Sequence, residues 1–320
     1  MNLKKIAVAG LLAAGCMAAA QAAQWPDKSV TIVVPYSAGG GTDSVARLLS
    51  EKLTERWGQT VVVTNKDGAS GTIGAAYVAR SKPDGYTIML SATAEVVISQ
   101  HMMDKMPYNP ETDLKPVTLA VKLPFLLVAN PNKPYKTTEE LVAYAAKHPE
   151  TVTYASSGSG TPQHLAAALL EQLSGTKMIH VPYKGVAPSI SALLADQIDI
   201  GFVGLPIGLA HVKAGKLRPL AISSKTASAT VPDVPPVAKT KGLEAFDLTQ
   251  WFGIFVPGGT PDDIVQKIQQ DIAAVLKQPD LRATLEGQGA EPSGMPTAEF
   301  VEFVKAERKK FGAIVKAAKL

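Results

Sequence analysis

The chain alternates short apolar runs with amphipathic stripes. Val30 to Val34, apolar but for Thr31, predicts a buried strand, and three glycines follow it. Val45, Leu49, Leu53 and Trp57 then recur at four-residue spacing, the signature of one helix face. Val61 to Val63 predicts a second strand, Gly71 to Arg80 a helix, and Tyr86 to Leu90 a third strand after the Pro83-Asp84-Gly85 turn. The alternation then resumes. An apolar segment at Leu123 to Val128 precedes a helix over Thr137 to Lys147, a strand Val152 to Ala155 and a helix Pro162 to Leu173. A strand Met178 to Val181, a helix around Ser189 to Leu194, and strands Ile198 to Val203 and Leu217 to Ser223 complete this block. A last strand, Gly253 to Val256, leads into two helical stripes, one of Ile264, Ile268, Ile272 and Leu276, the other of Phe300, Val304, Phe311 and Val315.

Strands that alternate with helices imply sheets covered on both faces. The expected class is therefore α/β, with mainly parallel sheets flanked by helices. Two apolar segments bordered by proline, Leu123 to Val128 and Trp251 to Val256, are the natural crossings between two units. Residues 23–124 and 251–320 then form the first lobe, and residues 125–250 an inserted second lobe. A ligand between lobes joined by two hinges is the expectation.

The N-terminus bears on the compartment. Lys4 and Lys5, the apolar stretch Ile6 to Gly15 and the small-x-small triplet Ala20-Gln21-Ala22 read as a cleavable signal peptide over residues 1–22. Leu12 to Cys16 also approximates a lipobox, so acylation of Cys16 is the competing reading. Cys16 is the single cysteine of the 320 residues, so cleavage after Ala22 leaves neither a disulfide nor a thiolate metal site. The histidines have no metal-ligand spacing, and no metal or cofactor is expected. Charge adds little. The formal balance is +4, from 32 basic and 28 acidic side chains, and it falls by two without Lys4 and Lys5. No basic stripe suggests a nucleic-acid partner.

Candidate chemistry sits in two glycine loops between a strand end and a helix start. The first spans Tyr36, Ser37, Ala38, Gly39, Gly40, Gly41, Thr42 and Asp43, and the second Ser156, Ser157, Gly158, Ser159, Gly160 and Thr161. Glycine lets a backbone approach a guest, and the free N–H groups of a helix start favour an anion. Neither loop has a Walker or dinucleotide spacing, and neither contains Lys or Arg, so backbone donors and water are the expected ligands of the anion. Thr161 is the expected N-cap, with Pro162 in the first helical position. Gly68 to Gly74 is a third such stretch, which either lines the cleft or relieves crowding.

Several residues keep two readings. His164 either bonds locally at its helix start or touches the ligand, and is expected neutral because a cation there opposes the helix dipole. Asp43 either strengthens the helix start or receives a ligand amine or water. Tyr36 and Tyr183 either pack or line the cleft. A serine hydrolase is disfavoured, because neither Ser157 nor Ser159 sits in G-x-S-x-G and His164 is too near in sequence to serve as a triad base.

Taken as a set, Pro35-Tyr36-x-x-Gly39-Gly40-x-x-Asp43, Gly158-x-Gly160-Thr161-x-x-His164-Leu165, His180-Val181-Pro182-Tyr183-Lys184-Gly185, Gly215-Lys216-Leu217-Arg218, Trp251-Phe252-Gly253 and Pro257-x-x-Thr260-Pro261 resemble the Bug-type (TctC-like) solute receptors of tripartite tricarboxylate transporters. The resemblance runs through essentially the whole chain beyond the signal segment. It implies a periplasmic two-lobed binding protein of the type II, Venus-flytrap kind, monomeric, that closes on a small organic carboxylate and delivers it to membrane permease subunits without catalysis. A receptor that reports its solute to a membrane regulator would share the same fold. The resemblance assigns ligand contacts to Tyr36 to Asp43 and Ser156 to His164, and Ser91, Tyr183 and Gly204 join the expected site. Many members carry a polar or acidic residue where this chain has Gly204-Leu205-Pro206, so the far end of the pocket is expected to be less polar. That leaves open a mono- or dicarboxylate with an apolar or aromatic body.

Overall fold

The computed structural model describes residues 25–318. The segment read as a signal peptide and Cys16 lie outside them. No helix among the described residues is long and apolar enough to cross a membrane.

The chain builds two sheets. The first contains β1 (Val30–Val34), β2 (Val61–Asn65), β3 (Thr87–Ser91), β4 (Leu114–Leu123), β10 (Gln250–Pro257) and β11 (Glu291–Pro292), in the order β11-β4-β10-β3-β1-β2. The second contains β5 (Phe125–Ala129), β6 (Thr153–Ser156), β7 (Ile179–Pro182), β8 (Ile200–Gly204) and β9 (Arg218–Ile222), in the order β7-β6-β8-β5-β9. Pro124 separates β4 from β5. The apolar segment read as one crossing is thus the last residue of one strand and most of the next, each in a different sheet.

The sheets are mixed rather than mainly parallel. β1 pairs in parallel with β2 and β3, and β6 with β7 and β8. β10 runs antiparallel to β3 and β4, and β5 antiparallel to β8 and β9. The physical reason is connectivity. The parallel strands are linked by helical crossovers, whereas β5 and β10 follow directly from the crossings between sheets and enter in the opposite direction.

Helices cover both sheets. α1 (Gly41–Trp57) buries Val45, Leu49 and Leu53 against the first sheet, as its stripe predicts. α2 (Thr72–Ala79) begins one residue later than expected, after a tight turn at Ala69–Gly71. α3 (Thr138–Lys147) is capped by Thr137, whose hydroxyl accepts Glu140 N–H at 3.1 Å. α4 (Pro162–Ser174), α5 (Val186–Leu194) and α6 (Leu205–Lys213) belong to the second sheet. α7 (Asp262–Leu276), α8 (Pro279–Gly287) and α9 (Thr297–Ala317) complete the chain. α9 packs on β4 and also reaches α4, which ties the two lobes together. Its Phe300, Val304, Phe311 and Val315 are all buried. Asp271 on α7 is buried too, and holds Arg56 at 2.6 Å and the Trp57 indole N–H at 2.7 Å at the far end of α1. That clamp fixes α1 and leaves its N-terminus facing the other lobe.

Candidate functional site

A cleft of about 730 Å³ lies between the lobes. Its walls include Tyr36, Gly40, Gly41 and Thr42 from the first glycine loop, and Ser157, Ser159, Gly160 and Thr161 from the second. The two helix starts therefore face one space. Neither is capped by a side chain: the N-cap residues Gly40 and Thr161 make no such bond. Thr161 stands where an N-cap is expected, but its hydroxyl donates to Gly158 O at 2.7 Å. Among the described residues the N–H groups of Gly41, Thr42 and Asp43 in α1, and of Gln163 and His164 in α4, find no acceptor. These are the orphan donors of a helix start, with the positive end of the dipole behind them.

Each loop satisfies one of its own amides internally. Gly39, at φ 83°, donates its N–H to Asp43 Oδ2 at 2.9 Å, and Gly160, at φ 74°, donates to His164 Nδ1 at 3.0 Å. Asp43 is buried and also receives Arg47 at 2.9 and 3.1 Å and Asn65 Nδ2 at 2.9 Å. The Arg47 guanidinium, with Gly39 N–H and the Asn65 amide, lowers its pKa to about 2. Asp43 thus holds the loop's shape and does not reach the cleft surface. Ser37 bonds Asp67 at 2.7 Å, and Ser37 and Ala38 lie on the exposed outer side of the turn.

His164 is similarly inward. It is buried, and its ring stacks on His180 with centroids 3.7 Å apart and planes 12° apart. Burial, reinforced by the neighbouring imidazole, pushes its pKa down to about 4. Because Nδ1 accepts the Gly160 N–H hydrogen bond, the ring is neutral with its hydrogen on Nε2. This gives a pH prediction. The unfolded chain takes up a proton below the ordinary value near 6.5 while the folded ring stays neutral to about 4, so stability falls as pH drops through that window. Urea melts at pH 7 and pH 4 should show wild type losing about 3 kcal/mol more than His164→Gln. Equal losses would contradict the assignment.

The remaining expected residues fall behind the cleft wall or away from it. Ser91 is fully buried at the end of β3 and donates to Glu95 Oε1 at 3.0 Å. Ser156 is buried with its hydroxyl 2.6 Å from His180 Nε2, and it accepts Gly158 N–H at 3.2 Å. This serine–histidine pair shapes the loop from beneath. Gly158 carries the left-handed turn at φ 142°. Tyr183 packs on the apolar cluster of the second lobe. Gly204 caps α6 and does not border the cleft, because Leu205-Pro206 turns instead onto Gly289 of the first lobe, with Pro206 2.6 Å from where a Cβ would stand.

Other wall residues carry little sequence signal. Ala92, Ala94, Ile98 and Ser99 belong to or adjoin a π-helical turn at Ala94–Ile98 and a tight turn at Ser99–His101, and Met102 and Met103 follow directly. Ala69 and Ser70 line the cleft with positive φ of 47° and 53°, while Gly74 relieves crowding, since a Cβ there would stand 2.7 Å from Pro35. The third glycine stretch serves both purposes. Gly185 and Val186 open α5, and Gln250 opens β10.

Glu95 lies behind this wall. Its fully buried carboxylate accepts Tyr36 O–H at 2.6 Å, Ala92 N–H at 2.7 Å and Ser91 O–H at 3.0 Å. Burial pushes its pKa up to about 7, against the pull of those donors. Near neutrality it therefore carries only part of a negative charge behind a site built for an anion. A second hollow of about 810 Å³, lined by residues that include Ile73, Tyr77, Arg80 and Lys82, lies on the first lobe alone.

The comparisons with known proteins agree with this fold. Residues 45–320 match the family model described as Tripartite tricarboxylate transporter family receptor. Protein BugT of Bordetella pertussis is 32% identical over 320 residues, covering 99% of this chain and 98% of its own. MatC from Rhodopseudomonas palustris, solved with bound malate, superposes with a TM-score of 0.74 at 31% identity over 91% of this chain and all of its own. An R. palustris protein solved with adipate reaches 0.77 at 31% identity, covering 92% of this chain and 98% of its own. On the strength of the family match, the two-lobed α/β fold and a cleft faced by two uncapped helix starts, this chain belongs to the tripartite tricarboxylate transporter receptor family, the TctC or Bug solute-binding proteins.

Proposed function

We propose that this chain is exported to the periplasm, captures a small organic carboxylate between its lobes, and delivers it to the permease subunits of a tripartite tricarboxylate transporter. The observation that carries the reading is the pair of uncapped helix starts on one cleft whose lining holds no cationic side chain. The carboxylate takes N–H bonds from the start of α1 in one lobe and the start of α4 in the other. Residues 125–250 then act as the inserted lobe, which closes on residues 23–124 and 251–320 about the crossings at Pro124 and Gln250. Because one anion is shared by both lobes, it favours the closed form. Each N–H bond to a charged acceptor contributes roughly 1.5–3 kcal/mol, so a few suffice for a micromolar complex of about 8 kcal/mol.

A thermal-shift panel of mono-, di- and tricarboxylates tests this on protein refolded from guanidinium, which removes any solute carried through purification. A carboxylate at a hundredfold excess over its Kd should stabilise the fold by about 2.7 kcal/mol, seen as a rise in Tm. An unchanged Tm across the whole panel would refute carboxylate capture.

A further inference from the structure

The walls of the cleft have a character that the helix starts do not explain. None of the side chains that line it is Asp, Glu, Lys, Arg or His, and the carboxyl of Glu95 is sealed behind Tyr36. A solute ammonium would enter without a counter-ion, and a second carboxylate would find only hydroxyls and amides. Part of the wall is apolar and exposed. Of the eight large apolar side chains exposed among the described residues, three, Met102 at 39%, Met103 at 38% and Val186 at 38%, border this one cleft, with Ile98 beside them. Met102 also spans the gap between lobes. Its thioether lies so close to Gly160 that a Cβ there would stand 2.3 Å from Met102 Cε.

We propose that the solute carries a single carboxylate on an aliphatic or aromatic body, with no ammonium and no second charge, and that Met102 and Met103 are the specificity-determining residues that pack against that body. The proposal rests on the carboxylate capture set out above and names its substrate class. The carboxylate lies at the helix starts, and the body extends along the wall formed by Met102, Met103, Ile98 and Val186. Methionine suits this position because its unbranched, polarisable side chain adapts to chains and rings alike. Both methionines are exposed on this wall and would lose their contact with water when such a body enters.

Calorimetric titration of the refolded protein with acetate, butyrate, hexanoate, phenylacetate, malate, citrate and glutamate tests the proposal. Affinity should rise about fourfold per methylene from butyrate to hexanoate. Hexanoate or phenylacetate should bind more tightly than malate, citrate or glutamate. The Met102→Gln/Met103→Gln variant, with a wild-type circular dichroism spectrum, should lose about tenfold for hexanoate and keep its acetate affinity. A flat chain-length series, or tighter binding of malate, citrate or glutamate, would overturn the apolar-body proposal and leave carboxylate capture standing. An undiminished hexanoate affinity in the double variant would overturn the role of the methionines. Failure of every acid to bind would overturn both readings. The chain-length series on wild type decides the substrate class even if the double variant does not fold.

Discussion

Gly160→Val should abolish the carboxylate-induced rise in Tm while leaving a folded protein. Gly160 sits at φ 74°, a left-handed conformation that a β-branched residue adopts only under strain of about 1–3 kcal/mol. The loop can relieve that strain only by rotating the backbone that presents Ser159, Thr161 and the start of α4 to the cleft. It would also break the N–H bond to His164 and press on Met102. Gly175 offers a matched control. It closes the same helix at its other end with φ 67°, and a Cβ there would meet nothing within 4 Å. Gly175→Val should therefore suffer similar backbone strain, with a comparable drop in ligand-free Tm, yet keep its full response to a bound acid. Loss of the response in both variants would trace the effect to general destabilisation, and retention in both would remove the second loop from the site.

The parts of this molecule legible in its sequence are those where one physical signal dominates. β1 matches its expected span because a short, almost wholly apolar run flanked by turn residues has one reading, and the stripes of α1, α7 and α9 are buried where four-residue spacing puts them. β4 escaped notice because Pro116 interrupts it. The strand accommodates that proline at an irregularity in its pairing with β10, between Ile254 and Phe255. α6 and α8 were hidden for a related reason. Pro206 and Pro279 each stand in a first helical turn, where a missing N–H costs nothing. At the site, glycine spacing located both helix starts. It did not separate residues on the cleft surface from those just beneath it. Asp43, Ser156 and His164 are polar residues in the right loops and Ser91 ends a neighbouring strand, and each is consumed by hydrogen bonds within the protein. The wall from Ala92 to Met103 comes from a π-turn and a tight turn, which have no periodicity for a sequence pattern to report.

Recognition by backbone amides means that the decisive donors have no side chain to remove, but proline deletes a backbone N–H. Gly41 is the first residue of α1 and lines the cleft. Proline is well suited to that position, and α4 already begins with one, Pro162. Gly40, just before it, is extended at φ −79° and ψ 171°, as a residue preceding proline prefers. A Cβ at position 41 would touch the Phe252 ring at 3.8 Å, an ordinary contact. The fold should therefore accept Gly41→Pro without loss, and restriction of the unfolded chain should add about 0.4–1 kcal/mol of stability. The decisive measurement is calorimetric titration of refolded wild type and Gly41→Pro with the acid that binds wild type most tightly. Affinity should fall about tenfold to a hundredfold, the contribution of one N–H bond to a carboxylate, while the ligand-free Tm holds or rises. An affinity equal to that of wild type, in a variant that folds as well, would mean that the solute is not held at the start of α1.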